Sequence, residues 1–505
     1  MHVVRRLPGL TTLDCGDVTE EERRIAKEGR LMELDLMLEA EPTTDVEESL
    51  PRDTPPGSTK SAISVTHGAG HSGRRNLLEE DRERRSKLPD RGNLPSTWYK
   101  DAVVMDVGSG WARMGLAGRE RPSCVFPSIV GRVDMRSYDV ITGQDERVYV
   151  GQHAIDVANQ KAAERELPDR SGPMPAPIAL RRPLSLSASG GLVTNWDDME
   201  ELWRHGIEEE LGLDASEHPV LMADTTATDS SEREKATEVL METLPTPAVH
   251  MALQPVLALY ACGPTSGLVV DIGESGTQVV PIYDGFVVEN GVRWVGLGGK
   301  DITGHLGALV SAKVGLMGGD DFETDSPCDM LKLEALKASC CYVSEDIDKE
   351  HAKMGASELS ISKPYTLPDG TRITLGRERY RAAELLFEPG MRLRQEASLQ
   401  DTILDSILSC SRKTWKTLAQ TIILTGGTTE LAGLNRRLQK EITRASRDNR
   451  IRLKFTVMVP EDDHSNTVWL GGSMLASTGD LDGLWFTRAD YEEYGAGYIH
   501  SKFAA

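Results

Sequence analysis

The chain has 505 residues, 39% of them hydrophobic and 27% charged, with a formal net charge of −22. That length exceeds one ordinary domain and predicts two or more lobes, or one core with tails. The acid excess excludes non-specific binding to nucleic acid or anionic membrane, because phosphate is repelled, so nucleic acid is not expected as a direct partner. Seven cysteines without a CxxC pair fit neither a disulfide framework nor a zinc site, and they predict a reducing compartment. No apolar run approaches the roughly 20 residues of a membrane-spanning helix. The opening MHVVRRLPGL turns acidic too soon for a secretory signal. A cytoplasmic or nuclear location follows, with no choice between them.

Residues 1–100 are poor in aromatics and rich in charge, and are expected to form a disordered N-terminal extension. Within it, Thr19 and Glu22 have capping-box spacing, and Ile25, Leu31, Leu34 and Leu38 follow before Pro42. That stretch reads as a transient helix weakened by Gly29, with docking of a partner as the sharper alternative. Arg74–Arg91 reads as a mixed-charge linker. Order begins at Asp101. DAVVMDVG predicts a strand, Gly108–Gly110 a tight turn, and WARMGLAG the returning strand of a hairpin. A Pro- and Gly-bearing stretch from about Gln160 to Arg182 predicts a surface loop.

TNWDDMEELWRHGIEEEL then predicts a helix capped by Asn195, with Met199, Leu202, Trp203 and Ile207 as its apolar stripe. SEREKATEVLMETL predicts a second helix starting at Ser230 or Ser231. ALQPVLALYACG predicts an apolar helix closed by Gly263, and GLVVDIG a buried strand. Alternating strands and helices give an α/β class. His153, His205, His250, His305 and His464 lack metal-ligand spacing and read as structural or surface residues, and a metal site at His67 and His71 is not favoured. Trp294 and Trp469 read as core or interface positions.

One phrase occurs twice. AVVMDVGSGWARMGLAG (Ala102–Gly118) and LVVDIGESGTQVVPIYDG (Leu268–Gly285) each run from an apolar strand through Asp-x-Gly and a small polar turn into a second strand. Such a turn can converge backbone N–H groups on an anion, and glycine lets the backbone approach it. The Asp at the strand end offers a carboxylate to Mg²⁺, through water. One copy alone reads as a plain hairpin. Two copies roughly 165 residues apart predict duplicated lobes gripping one polyphosphate.

From Asp101 to Ala505, about four-fifths of the chain, the sequence resembles actin and the actin-related proteins. The resemblance rests on VGSGWARMGLAG, FPSIVGR, TNWDDME, PIYDG, LTGGTTELAGL, QKEI and VWLGGSMLAS, all in family order. It implies a duplicated, ribonuclease H-like α/β fold of two lobes around a nucleotide cleft, shared with heat-shock chaperones and sugar kinases. The first lobe would span 101–262, with a divergent tip and insertion over 133–186 and completion by 467–505. The second would span 263–466, with a smaller part inserted at about 298–397.

ATP or ADP with Mg²⁺ would be the cofactors. Asp106 and Asp271 would serve the metal through water. Ser109, Gly110, Trp111 and Arg113 would form the first phosphate loop, with Arg113 where a Lys is usual. Gly273, Glu274, Ser275 and Gly276 would form the second. Gly299 and Lys337 would line the nucleotide side, Gly426, Gly427 and Thr428 would form the adenosine loop, and Gln254 would position the attacking water.

The departures from actin predict function. Gln278 stands where actin has a His, and an amide cannot take a proton. Glu274 and Ser275 replace Asp-Gly, while Ala338, Leu431 and Ser465 change the nucleoside pocket. Pro255 is expected to stiffen Gln254. ATP binding with slow or absent hydrolysis follows. The tip loop Val133–Val148 has diverged, and Arg392 and Arg394 stand where actin has an apolar plug, so no homopolymeric filament is expected. The favoured function is an ATP-binding subunit of a cytoskeletal or other complex. Its partners would be actin, actin-related proteins or complex subunits. The alternatives are a polymerising actin with active ATPase, a nuclear subunit of a chromatin-remodelling complex, and an enzyme of the sugar-kinase or chaperone branch.

Overall fold

A computed structural model describes residues 12–13, 16–17, 101–133, 148–166, 178–187, 190–316, 327–356, 361–366, 372–392, 396–460, 464–478, 481 and 483–503. The expected N-terminal helix, the centre of the tip loop and Arg394 lie outside these residues. So does the side chain of Arg392. Two short strands, Thr12–Leu13 and Gly16–Asp17, pair with each other.

The repeated phrase builds two sheets of the same plan. In the first, β1 (Val103–Val107), β2 (Trp111–Leu116) and β3 (Cys124–Pro127) form an antiparallel meander. Beside β1 run the parallel strands β4 (Val220–Asp224) and β5 (Ala248–Leu253), and Phe486–Thr487 closes the edge. In the second, β6 (Gly267–Ile272) and β7 (Thr277–Tyr283) form the antiparallel hairpin. β8 (Phe286–Val287) and β9 (Arg293–Val295) pair with β7, while β10 (Ile422–Thr425) and β11 (Val457–Met458) run parallel beyond β6. Each hairpin strand that carries the Asp is therefore central, flanked by its return strand and by a parallel strand. All five residues of β1 are buried, which explains their apolar run without alternation.

Each sheet has its own core. Val103, Met105, Met114, Leu202, Trp203 and Ile207 pack in the first. Leu268, Val270, Ile302, Leu336, Ile403 and Leu438 pack in the second. Helix α1 (Gly151–Glu166) covers a small sheet formed by Val130–Val133, Val148–Val150 and Ile178–Arg181. The expected surface loop is thus shorter than the sequence suggests. Gln160–Glu166 belongs to α1, and Ile178–Arg181 is an edge strand paired with the central Val130–Val133.

Asn195 caps α2 (Trp196–Arg204), accepting a hydrogen bond from Asp198 N at 3.0 Å, as its sequence predicts. The stripe Met199, Leu202, Trp203 and Ile207 is buried, and the chain continues past Arg204 as a π-helical turn, His205–Glu210. Helix α3 (Ser230–Glu238) starts at Ser230, one of the two expected positions, and is capped by Asp229, whose carboxylate accepts from Glu232 N at 2.8 Å. Ala252 and Leu253 extend β5 instead of opening the next helix. That helix, α4 (Gln254–Ala261), begins at Gln254, with Pro255 in its first turn, where a missing N–H costs nothing. Gln254 is therefore held at the junction of a central strand and a helix.

Helix α5 (Gly299–Leu316) follows the second hairpin, then α6 (Pro327–Cys340) and, after β10, α7 (Leu434–Asp448). Helix α8 (Thr467–Ala476) crosses α4 at backbone distance. A Cβ on Gly471 would lie 2.0 Å from Leu257 O, so only glycine permits the crossing. Trp469 on α8 is fully buried and donates through Nε1 to Val104 O at 3.0 Å.

Candidate functional site

The two Asp-x-Gly turns have the same hydrogen bond. Gly108 N donates to Trp111 O at 3.0 Å, and Gly273 N donates to Gly276 O at 3.0 Å. They face each other directly: a Cβ on Gly110 would stand 3.0 Å from Cβ of Glu274. Ser109 and Ser275 are buried, whereas Trp111 opens β2 with 47% of its surface exposed. Gly276 passes under the backbone of β9, where a Cβ would stand 2.9 Å from Val295 O.

Register puts Asp106 opposite Arg113 and Asp271 opposite Gln278. The same place in the repeat therefore holds a cation in one lobe and an amide in the other. Both carboxylates are joined through a pair of glutamines. Gln254 Nε2 donates to Asp106 Oδ1 at 3.2 Å. Gln278 Nε2 donates to Asp271 Oδ2 at 2.8 Å and lies 3.4 Å from Gln254 Oε1. The resulting line, Asp106–Gln254–Gln278–Asp271, crosses from one hairpin to the other.

Burial pushes the Asp106 carboxyl up to about 6. Arg113 pulls it down, the Asp271 charge adds to the rise, and the Gln254 hydrogen bond opposes it. Burial also raises Asp271, against the Gln278 hydrogen bond and Arg113. Arg113 also donates to Asn466 Oδ1 at 3.0 Å.

The second turn docks on the start of α5. Gly299 N and Lys300 N donate to the carbonyls of Gly273 and Glu274, both at 2.9 Å. Lys337 on α6 donates to Gly299 O at 2.8 Å, and its Nζ lies 3.7 Å from Glu274 Oε2. Thr428 Oγ1 donates to Gly273 O at 3.0 Å. Gly426 has φ 91° and ψ 148°, and a Cβ there would sit 2.3 Å from Asp271 Oδ1 and 2.6 Å from Ile272 O. Beside it, a Cβ on Gly427 would meet no atom within 4 Å. Thus Gly299, Lys337 and Thr428 gather around the second turn, Gly426 lies against Asp271, and Gly427 borders open space.

Two residues of this site were not among the sequence-based candidates. Arg182 Nη1 donates to Ser109 O and Gly110 O, both at 3.0 Å, and Nη2 donates to Glu334 on α6 at 2.9 Å. Burial raises the Glu334 carboxyl. Arg182 opposes that rise, Glu274 adds to it and Lys337 pulls the other way. Arg182 lies at the end of the stretch that reads as a surface loop, which hides its role. Glu334 lies in a helix with no local motif.

The donor set suits a divalent cation and a polyphosphate. Two carboxylates whose charges repel, Asp106 buried and Asp271 half-buried, are relieved by a cation, and hard oxygen donors suit Mg²⁺. Gln278 Oε1 is buried and, among the described residues, meets no donor, so it can accept from water or a ligand. Among those same residues there is no cluster of three or more His, Cys, Asp or Glu to hold a metal without water.

The actin family model matches residues 99–504. The chain belongs to the actin family. An actin-like protein of Neurospora crassa is 33% identical over 414 residues, covering 81% of this chain and 100% of that protein. Actin-family proteins generally bind nucleotide and a divalent metal and interact with other proteins. Among the described residues no helix is long and apolar enough to cross a membrane.

Proposed function

We propose that this actin-family chain holds ATP or ADP with Mg²⁺ between the two turns. On this reading it hydrolyses ATP slowly or not at all, and serves as a nucleotide-stabilised subunit of a cytoskeletal or other complex. The observation that carries the proposal is the Asp106–Gln254–Gln278–Asp271 line. It brings the buried Asp106 and the half-buried Asp271 together with the amides of Gln254 and Gln278 where the hairpins meet.

Asp106 and Asp271 would hold Mg²⁺ through water. The backbones of Ser109–Trp111 and Gly273–Gly276, with Arg113 and Lys337, would hold phosphates. Gly426, Gly427 and Thr428 would border the nucleoside. When bound, Mg-ATP supplies a γ-phosphoryl group open to attack by water. Gln254 would orient that water, yet its amide is engaged at both ends. Nε2 is taken by Asp106, and Oε1 has Gln278 as a neighbour, leaving part of one oxygen for water. Gln278 donates to Asp271 and its amide cannot accept a proton, so Gln278 would not serve as a general base for that water. Both features support binding over turnover.

The test is single-turnover phosphate release from purified protein loaded with Mg-ATP. The expected result is retained ATP and slow release. Rapid release that is lost in Gln254→Ala overturns the proposal of slow hydrolysis. Sedimentation with Mg-ATP tests assembly, and long two-stranded filaments would contradict the expected lack of homopolymers.

A further inference from the structure

Arg182 follows the strand Ile178–Arg181 and makes four hydrogen bonds in two directions. Nη1 holds the carbonyls of Ser109 and Gly110, both at 3.0 Å. Nη2 reaches both carboxylate oxygens of Glu334, at 2.9 and 3.1 Å. One side chain thus joins the backbone of the first turn to a helix of the other lobe. Three residues further along α6, Lys337 holds Gly299 O and approaches Glu274, so Glu334 is backed by the second turn's own supports.

The geometry restricts both the turn and the cleft. Each peptide is planar and trans, so a carbonyl turned toward Arg182 points the following N–H in the opposite direction within the same plane, away from Arg182. Two consecutive carbonyls held by one guanidinium therefore fix two consecutive N–H directions in the turn. The Arg182 and Glu334 side chains are 26% and 19% exposed, which keeps the pair at the edge of the buried site. A planar fork engaged at four acceptors cannot be replaced by a point charge.

We propose that Arg182 and Glu334 form a clasp across the cleft that positions the Ser109–Gly110 turn and sets how fast nucleotide leaves. The clasp rests on the cleft being the nucleotide site. Separation of the lobes must break either the pair with Glu334 or the grip on the turn, and each break loosens the phosphate side of the site. Arg182 and Glu334 are positioning residues here, acting through the turn.

The test loads the full chain with a fluorescent ADP analogue and Mg²⁺, then chases it with excess unlabelled ATP. Wild type is compared with Arg182→Ala, Glu334→Gln and the double variant. Each single variant is expected to release at least about tenfold faster, as for loss of a charge-assisted hydrogen bond. The double variant is expected to be no faster than Arg182→Ala, because one shared contact is removed only once. Where Arg182→Ala fails to fold by circular dichroism, Arg182→Lys with Glu334→Gln carries the same comparison. Unchanged release in the single variants, or independent accelerations that multiply in the double, overturns the clasp and leaves nucleotide binding standing. A wild-type chain that takes up no analogue overturns the nucleotide reading itself, and the clasp with it.

Discussion

Neighbouring glycines in the loop after β10 separate fold from ligand. At Gly426 the backbone has φ 91° and ψ 148°, a combination that L residues with a side chain rarely adopt. A Cβ there would also stand 2.3 Å from Asp271 Oδ1 and 2.6 Å from Ile272 O, and the second of these is backbone in a central strand. The backbone term alone costs about 1–3 kcal/mol. The shift forced on Ile272 adds to it, so Gly426→Ala is expected to lose about 3 kcal/mol or more. Gly427 is different: its Cβ would enter open space, so Gly427→Ala is expected to change stability by less than about 0.5 kcal/mol. If that space receives the nucleoside, the same methyl weakens nucleotide binding by about tenfold, or about 1.4 kcal/mol. Urea unfolding without nucleotide and titration with a fluorescent ATP analogue read the two effects separately. Native stability in Gly426→Ala would refute the steric reasoning. Unchanged affinity in Gly427→Ala would refute the placement of the nucleoside.

Three further outcomes are expected. Gln278→His restores a group that can take a proton beside Gln254, and is expected to raise single-turnover phosphate release by roughly tenfold to a hundredfold. An unchanged rate would remove Gln278 from the account of slow hydrolysis. Glu384 is fully buried and receives two hydrogen bonds from Arg437, at 2.8 and 3.1 Å. Glu384→Gln leaves the buried Arg437, among the described residues, with only Glu441 as its carboxylate and is expected to cost about 3 kcal/mol, read as a fall in urea midpoint. His250, buried edge-on against Trp485, is pushed by burial from 6.5 down to about 4. Its folded state favours the neutral ring, so stability from this group is complete above pH 6.5 and is lost as pH falls toward 4. The loss approaches about 3 kcal/mol, and His250→Gln is expected to flatten that part of the stability–pH curve.

What the sequence made legible was local. Asp106 and Asp271 stand out because a buried strand ends on an acid followed by glycine, and the repeat itself reveals two similar hairpins. The cap at Asn195 is legible for the same reason, since its partner lies three residues away. The start of α3 at Ser230 is legible in the same way, and its cap is the preceding Asp229. Gln254 was nameable only through family resemblance, and its engagement with both Asp106 and Gln278 needed the fold. Arg182 and Glu334 were invisible for a clearer reason. They lie 152 residues apart, each in a segment without its own signature, and only the tertiary fold brings them together.

The central claim is that the converging turns hold a cation-bound nucleotide. Its most direct test is equilibrium titration of nucleotide-stripped protein with ATP, with and without Mg²⁺, for wild type and for the double variant Asp106→Asn/Asp271→Asn. The account predicts one site per chain in wild type, micromolar or tighter, weakened by EDTA and lost in the double variant. A folded wild-type chain that binds no ATP, or a double variant that binds as wild type does, would contradict it.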